Sequence, residues 1–175
     1  VHLCGIKSFF KHLAMKKLIS SMMAIAIATA AFAGTGTDPN NSTRIVRTEN
    51  NIRSLVVNGK TSVVLVNTAS KEIVIEGMED AIDQILVLEK NGELSITNHS
   101  KKGRTAALVY VPAMLINKIS MNGNGAVSST ETLYNSKIDV LVNGDCKLWI
   151  KTYGDVSVDA TPEYDYTFET RKIKE

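Results

Sequence analysis

The sequence predicts an all-β protein, a short β-solenoid that carries one antiparallel hairpin near its N-terminal part. Short β-branched runs of four to six residues recur between turn formers, as in "SLVV", "SVVLV" and "EIVIE", which is the composition of pleated, half-buried strands. Asn91-Gly92 stands between the apolar runs "LVLEK" and "ELSI", the strongest short-range hairpin signal. Beyond Pro112 the text repeats: "NKISMNG" (117–123) is answered by "SKIDVLVNG" (136–144) and more weakly by "GDVSVDA" (154–160), with Lys118-Ile119 and Lys137-Ile138 nineteen residues apart. A strand-plus-turn unit of about 20 residues fits one coil of a solenoid, which buries its apolar face only by stacking on its neighbours. A β-sandwich with coincidental Asn-Gly turns is the alternative architecture.

Residues 1–33 are set apart from this domain. From Met15 the chain reads "MKKLISSMMAIAIATAAFAG": a basic start at Lys16 and Lys17, an apolar run from Leu18 to Ala31, and a small-residue site ending at Ala33. Those three features define a secretory signal peptide. A membrane-spanning helix needs about 20 strongly apolar residues, and this run is shorter and rich in Ala, Ser and Thr. The preceding "VHLCGIKSFFKHLA" is expected to be a start assigned ahead of the true one at Met15, with an unusually long basic n-region as the alternative. Without this segment, which holds four of the 20 Lys and Arg and none of the 18 Asp and Glu, the chain keeps 142 residues and a net charge of −2. That balance gives no electrostatic footprint for nucleic acid. Cys4 leaves with the leader, so Cys146 is alone and an internal disulfide is excluded. No transmembrane segment is expected in the mature chain.

Residues 34–51, "GTGTDPNNSTRIVRTENN", read as a flexible spacer: they are polar and broken by Gly, Pro and Asn, with Ile45 and Val46 the main apolar exceptions. Residues 52–175 then form a single domain. "SLVV" ends at Asn58-Gly59, "SVVLV" at Asn67 and "EIVIE" at Gly77. "MEDAIDQI" (78–85) is the one helix-like stretch, since Ala81, Ile82 and Ile85 share a face. After the hairpin, "AALVYVPA" is a strand stopped by Pro112. In the clearest coil Ile138, Val140 and Val142 face inward, as do Cys146, Leu148 and Ile150, while Lys147, Trp149 and Lys151 face outward. A one-residue slip would bury Trp149 and expose Cys146 instead. The tail "YDYTFETRKIKE" alternates Tyr164, Tyr166 and Phe168 against Asp165, Thr167 and Glu169, and is expected to be a last strand covering the end of the stack.

The tract "VPAMLINKISMNGNGAV", with "VVNGKTSVVLVN", "IVIEGMED", "IDQILVLEKNGELSIT" and "IDVLVNGD" around it, resembles the bacterial family of autotransporter-adhesin-like proteins with a head GIN domain, common in Bacteroidetes. The resemblance covers roughly 52–161. It implies a secreted or surface-exposed all-β protein similar to right-handed parallel β-helices, with Gly-rich turns stacked along it and no catalytic residues. The sequence departs from the family pattern at Asn124, where Ser or Ala is frequent, and it stops after about three Gly-rich coils.

Catalytic chemistry finds little support in the residues. A nucleophilic site needs an imidazole within hydrogen-bond reach; His99, the one histidine after the leader, lies in the polar "TNHSKKGR", far in sequence from Cys146. Cys146 on the inward register reads as a small apolar filler. One His and one Cys cannot make a zinc site. Asp139, Asp145, Asp155 and Asp159 could approach each other across coils as calcium ligands, but outward carboxylates that keep strand edges soluble are the simpler reading. Glycoside cleavage needs a carboxylate pair, and no acid sits in a recognisable paired motif, which leaves Asp139, Asp155 and Asp159 as the residues such an enzyme would depend on. No metal and no cofactor is expected, and no catalytic residue.

Asn122-Gly123-Asn124-Gly125 lacks both the third glycine and the following helix that a dinucleotide loop requires. Gly59, Asn91, Gly92, Gly123, Gly125 and Gly144 are instead expected at turns, where positive φ is tolerated. The constellation that points to function is the outward strip Lys147, Trp149, Lys151 and Tyr153. Two aromatic groups interleaved with two cations could stack on sugar rings or engage a protein surface, as aromatics do at binding hot spots. The cluster Lys101, Lys102 and Arg104 reads as a solvated loop. The function expected is an exported, non-enzymatic surface or envelope module that binds glycan or protein, in the periplasm, on the outer membrane or outside the cell. A periplasmic structural or envelope-homeostasis component is the alternative, and a polysaccharide-active enzyme the third.

Overall fold

The computed structural model describes residues 41–100, 107–162 and 165–172. The leader, the cluster Lys101, Lys102 and Arg104, and Tyr164 lie outside the described residues. In chain order the elements are β1 (Ser42–Arg47), β2 (Ser54–Asn58), β3 (Ser62–Val66), β4 (Glu72–Gly77), α1 (Glu79–Ile82), β5 (Ile85–Lys90), β6 (Glu93–Asn98), β7 (Leu108–Pro112), β8 (Lys118–Asn122), β9 (Ala126–Ser129), β10 (Lys137–Val142), β11 (Cys146–Thr152), β12 (Asp155–Ala160) and β13 (Tyr166–Lys172). The protein is all-β, with two mixed sheets. Sheet A has the order β1-β4-β7-β3-β9-β11-β13, and sheet B the order β12-β10-β8-β2-β6-β5.

Most pairings are parallel, because the chain leaves one sheet at each corner and enters the other. Sheet B strands β6, β2, β8, β10 and β12 run parallel, and so do β7, β3, β9, β11 and β13 in sheet A. Five sheet B strands, each with the sheet A strand that directly follows it, make five tiers among the described residues. Three of them turn at an Asn-Gly corner, Asn58-Gly59, Asn122-Gly123 and Asn143-Gly144, and the β6–β7 and β12–β13 tiers do not. The tiers are also out of chain order: β2–β3 sits between β6–β7 and β8–β9. This is why "VNG" at 57–59 matches "MNG" at 121–123, its direct neighbour.

The repeat is spaced differently from the nineteen residues read in the text. Asn122 and Asn143 meet across β8 and β10 at a separation of 21 residues, and Asn143 meets Thr161 at 18. An error of two residues preserves side-chain parity, so the inward and outward assignments survive it. Ile138, Val140, Val142, Cys146, Leu148 and Ile150 all lie in the core, which joins the inner faces of both sheets. Burying each such side chain contributes roughly 1.5–3 kcal/mol. A one-residue slip would forfeit all six, which fixes the register.

The ends of the stack differ. At one end β5 pairs antiparallel with β6, β4 pairs antiparallel with β7, and β1 antiparallel with β4. The β5–β6 hairpin turns at Asn91 (φ 55°) and Gly92 (φ 78°), the two positive φ values of a type I′ turn. The four-residue α1 joins the two sheets there and buries Ala81 and Ile82. At the other end the strand expected in the tail is β13, which pairs in parallel with β11 as the last strand of sheet A. Val156, Val158, Ala160 and Phe168 remain only half-buried there, having a neighbour on one side alone.

The spacer expected through Asn51 needs correction at 42–47. That stretch is β1, whose Ile45 and Val46 pair with Val74 and Ile73, and Arg47 meets the Glu72 carboxylate at 2.9 Å. Its polar composition is that of an edge strand, where charged residues discourage further pairing.

The Asn-Gly corners form a ladder. Asn58 Nδ2 donates to Ser95 Oγ (3.2 Å) and Thr97 Oγ1 (3.1 Å), Asn122 Nδ2 to Asn58 Oδ1 (3.0 Å), Asn143 Nδ2 to Asn122 Oδ1 (3.1 Å), and Thr161 Oγ1 to Asn143 Oδ1 (3.1 Å). Beside it Gly59, Gly123 and Gly144 stack backbone on backbone. The glycines do not all serve positive φ as expected. Gly59 and Gly123 do, but a Cβ on Gly144 would lie 2.5 Å from Gly123 N and one on Gly125 2.7 Å from the Thr61 carbonyl oxygen. Those two positions are held by lack of space. At the opposite corner the buried Asn135 donates to the carbonyls of Ala113 (2.8 Å) and Ile116 (2.7 Å), tying adjacent tiers together.

Candidate functional site

The register of β11 decides which of its side chains can meet a partner. Lys147, Trp149 and Lys151 alternate with the buried Cys146, Leu148, Ile150 and Thr152. Trp149 is 56% exposed and Cys146 only 4%, so the alternative slip is ruled out. Trp149 is flanked in the sheet by Ser128 of β9 and Glu169 of β13. Ser128 is too short to cover an indole, in keeping with the exposure of the ring. Lys151 Nζ lies 6.0 Å from the Trp149 ring centroid and 3.5 Å from the Thr130 carbonyl oxygen, the range of a cation–π contact.

Tyr153 continues the strip just past the strand and is 37% exposed. It stacks on Tyr134, with ring centroids 5.2 Å apart and planes 15° from parallel. Tyr134, itself 68% exposed, was not among the residues singled out from the sequence. It belongs to "SSTETLYNSKI", which reads as polar linker; the signal was Leu133-Tyr134, an apolar pair in that setting. Leu133 makes an isolated parallel bridge to Thr152 and is fully buried, which sets Tyr134 beside Tyr153.

The outward row of sheet A that contains Trp149 continues through Ser128, Val64 of β3, Tyr110 of β7, Val74 of β4 and Ile45 of β1. The row is largely apolar; within it Val64 is buried, whereas Ile45 and Trp149 are more than half exposed. Burial pushes the Tyr110 hydroxyl above its ordinary range, and Glu76, to which it is hydrogen bonded, adds to the shift.

The other sequence candidates are dispersed. Burial, and then the neighbouring Asp145, push the Cys146 thiol up, which disfavours the nucleophilic thiolate. His99 is exposed and its amide donates to the Gln84 carbonyl. Asp139 is ion-paired with Lys137 at 2.7 Å, and Asp155 and Asp159 lie on the outward side of β12. Asp145 Oδ1 accepts the Asp165 amide at 3.1 Å. Among the described residues no three His, Cys, Asp or Glu side chains gather as metal ligands. A shallow groove lined in part by Thr48, Ile52, Thr68, Pro112, Met114 and Leu115 carries no titratable side chain. None of the described helices is long and apolar enough to cross a membrane, which does not bear on strands.

Two mostly parallel sheets joined at stacked Asn-Gly corners are the frame that carries this strip. The chain belongs to the family described as "Putative auto-transporter adhesin, head GIN domain", whose model matches residues 51–165. Among solved structures it is similar to a "putative adhesin" from Parabacteroides merdae, with 14% identity and a TM-score of 0.55 over 70% of this chain and 53% of that one. A "putative adhesin" from Bacteroides fragilis matches at 16% identity and a TM-score of 0.52, over 71% of this chain and 64% of the other. At such identities the likeness establishes the fold alone. The chain thus spans between about half and two thirds of the length of these structures. No curated protein matches it.

Proposed function

We propose that the protein is an exported, non-enzymatic binding module whose domain is a short right-handed β-solenoid, and that it acts at the cell surface or envelope by adhesion to a glycan or a protein. The observation that carries this reading is Trp149, more than half exposed on a strand whose other face is locked into the core. Leaving an indole in water forgoes burial worth roughly 1.5–3 kcal/mol for a large apolar side chain, a cost that a binding partner recovers. The parallel sheet holds the ring without any further ordering, which favours association. The leader ending at Ala33 supports export, and the adhesin-like family supports binding as the role.

The test is fractionation of the tagged full-length protein, combined with protease treatment of intact cells. Digestion on intact cells, together with binding of the purified protein to cells or to a glycan array, is the expected result. Protection from protease with fractionation inside the outer membrane would overturn surface adhesion in favour of a periplasmic structural role.

A further inference from the structure

We infer that the strip Lys147–Trp149–Lys151–Tyr153, completed by Tyr134, is a site for an acidic polysaccharide, one whose sugar rings carry carboxylates. This deepens the adhesion reading and rests on it. Sugar rings present an apolar face that stacks on aromatics, and the strip offers two such platforms: the Trp149 indole and the stacked Tyr134–Tyr153 pair. Four residues separate Trp149 from Tyr153, so at about 3.3 Å per residue the platforms are roughly 13 Å apart. A ligand that meets both must be an extended chain of rings.

The charges select its chemistry. Arg47 and Lys137 are each satisfied by a carboxylate, at 2.9 Å and 2.7 Å. Among the described residues neither Lys147 nor Lys151 has such a partner within ion-pair distance. Lys151 is nevertheless held in place over the indole by the Thr130 carbonyl. The strip therefore places on each side of Trp149 one lysine that has no ion-pair partner among the described residues, about two residues or roughly 7 Å away. A polymer with a carboxylate on every ring has one within reach of each lysine whichever ring stacks on Trp149. Glu169 beside Trp149 disfavours a more densely charged surface, such as nucleic acid or an anionic bilayer.

The probe is polygalacturonate, with its fully methyl-esterified form as the same chain without charge. Titrated into the protein, the acidic polymer is expected to change the emission of Trp149, the sole tryptophan, and calorimetry should show the ester binding at least several-fold more weakly. Trp149→Ala should weaken binding about tenfold or more, and Lys147→Gln or Lys151→Gln about two- to fivefold each, with a flatter salt dependence. Tyr134→Ala provides an independent variant should Trp149→Ala fail to fold. Equal binding of acid and ester overturns the acidic assignment. Capture by phosphatidylserine-containing vesicles without polymer binding overturns it in favour of a lipid surface, and binding to neither overturns it outright. Adhesion that persists in the Trp149→Ala and Tyr134→Ala variants removes this site while leaving the adhesion reading intact, whereas an intracellular-side location sinks adhesion whatever the polymer does.

Discussion

Asn122 Nδ2 donates to Asn58 Oδ1 over 3.0 Å, although 64 residues separate the two along the chain. The bond joins β8 to β2, strands with no short connection between them, and it is one rung of a ladder that continues to Asn143 and Thr161. Asn122→Ala removes two rungs at once. It is expected to destabilise the fold by about 1–2 kcal/mol, at about 1 kcal/mol for each lost hydrogen bond. In a denaturant-melt cycle with Asn58→Ala, the two effects should be less than additive, because one shared rung is lost only once. Strict additivity would show that the rung contributes nothing.

Gly144 is pressed against Gly123 closely enough that a Cβ would lie 2.5 Å from its amide nitrogen. The obstacle is backbone in the neighbouring tier, which cannot rotate aside. Gly144→Ala is therefore expected to cost about 1–3 kcal/mol, the scale of overpacking. An unchanged denaturation midpoint would mean that the tiers can separate freely at this corner.

The Glu89 carboxylate accepts hydrogen bonds from Asn50 Nδ2 (2.9 Å) and from the amides of Gly92 and Glu49 (each 3.3 Å). These bonds, that from Asn50 foremost, hold its pKa below the ordinary value of 4.5. A depressed carboxylate contributes stability that is present above the unfolded-state value and is lost as pH falls through the folded one. Wild type and Glu89→Gln should thus differ most near neutrality and converge in acid. A difference in melting that is independent of pH would contradict this.

Trp149 lies between two cations and open to solvent. Its fluorescence should be quenched efficiently by iodide and less by caesium at equal concentration, and the gap should narrow as salt screens the lysines. Equal quenching by both ions would mean that Lys147 and Lys151 do not shape the field at the ring.

Much of the site was legible because alternation is local. Once β11 is recognised as a strand, the apolar Cys146, Leu148 and Ile150 can only share one face, and Lys147, Trp149 and Lys151 the other. Tyr134 was not legible: it reaches Tyr153 through the bridge of Leu133 to Thr152, a meeting between residues on successive tiers. β1 was hidden for a related reason, since an edge strand is polar by necessity and its partner β4 lies in a later segment.

The sequence by itself determined the all-β class, the Asn91-Gly92 hairpin and the inward and outward faces of the strands, all of which follow from propensities and a two-residue period acting over a few residues. Tertiary structure alone decided that the β2–β3 tier lies between two tiers that follow it in the chain, that asparagines 21 and 64 residues apart share one ladder, and that Tyr134 completes the aromatic strip. Parallel neighbours are chosen by which surfaces bury each other best, and that choice is made across the whole core, beyond the reach of any local pattern.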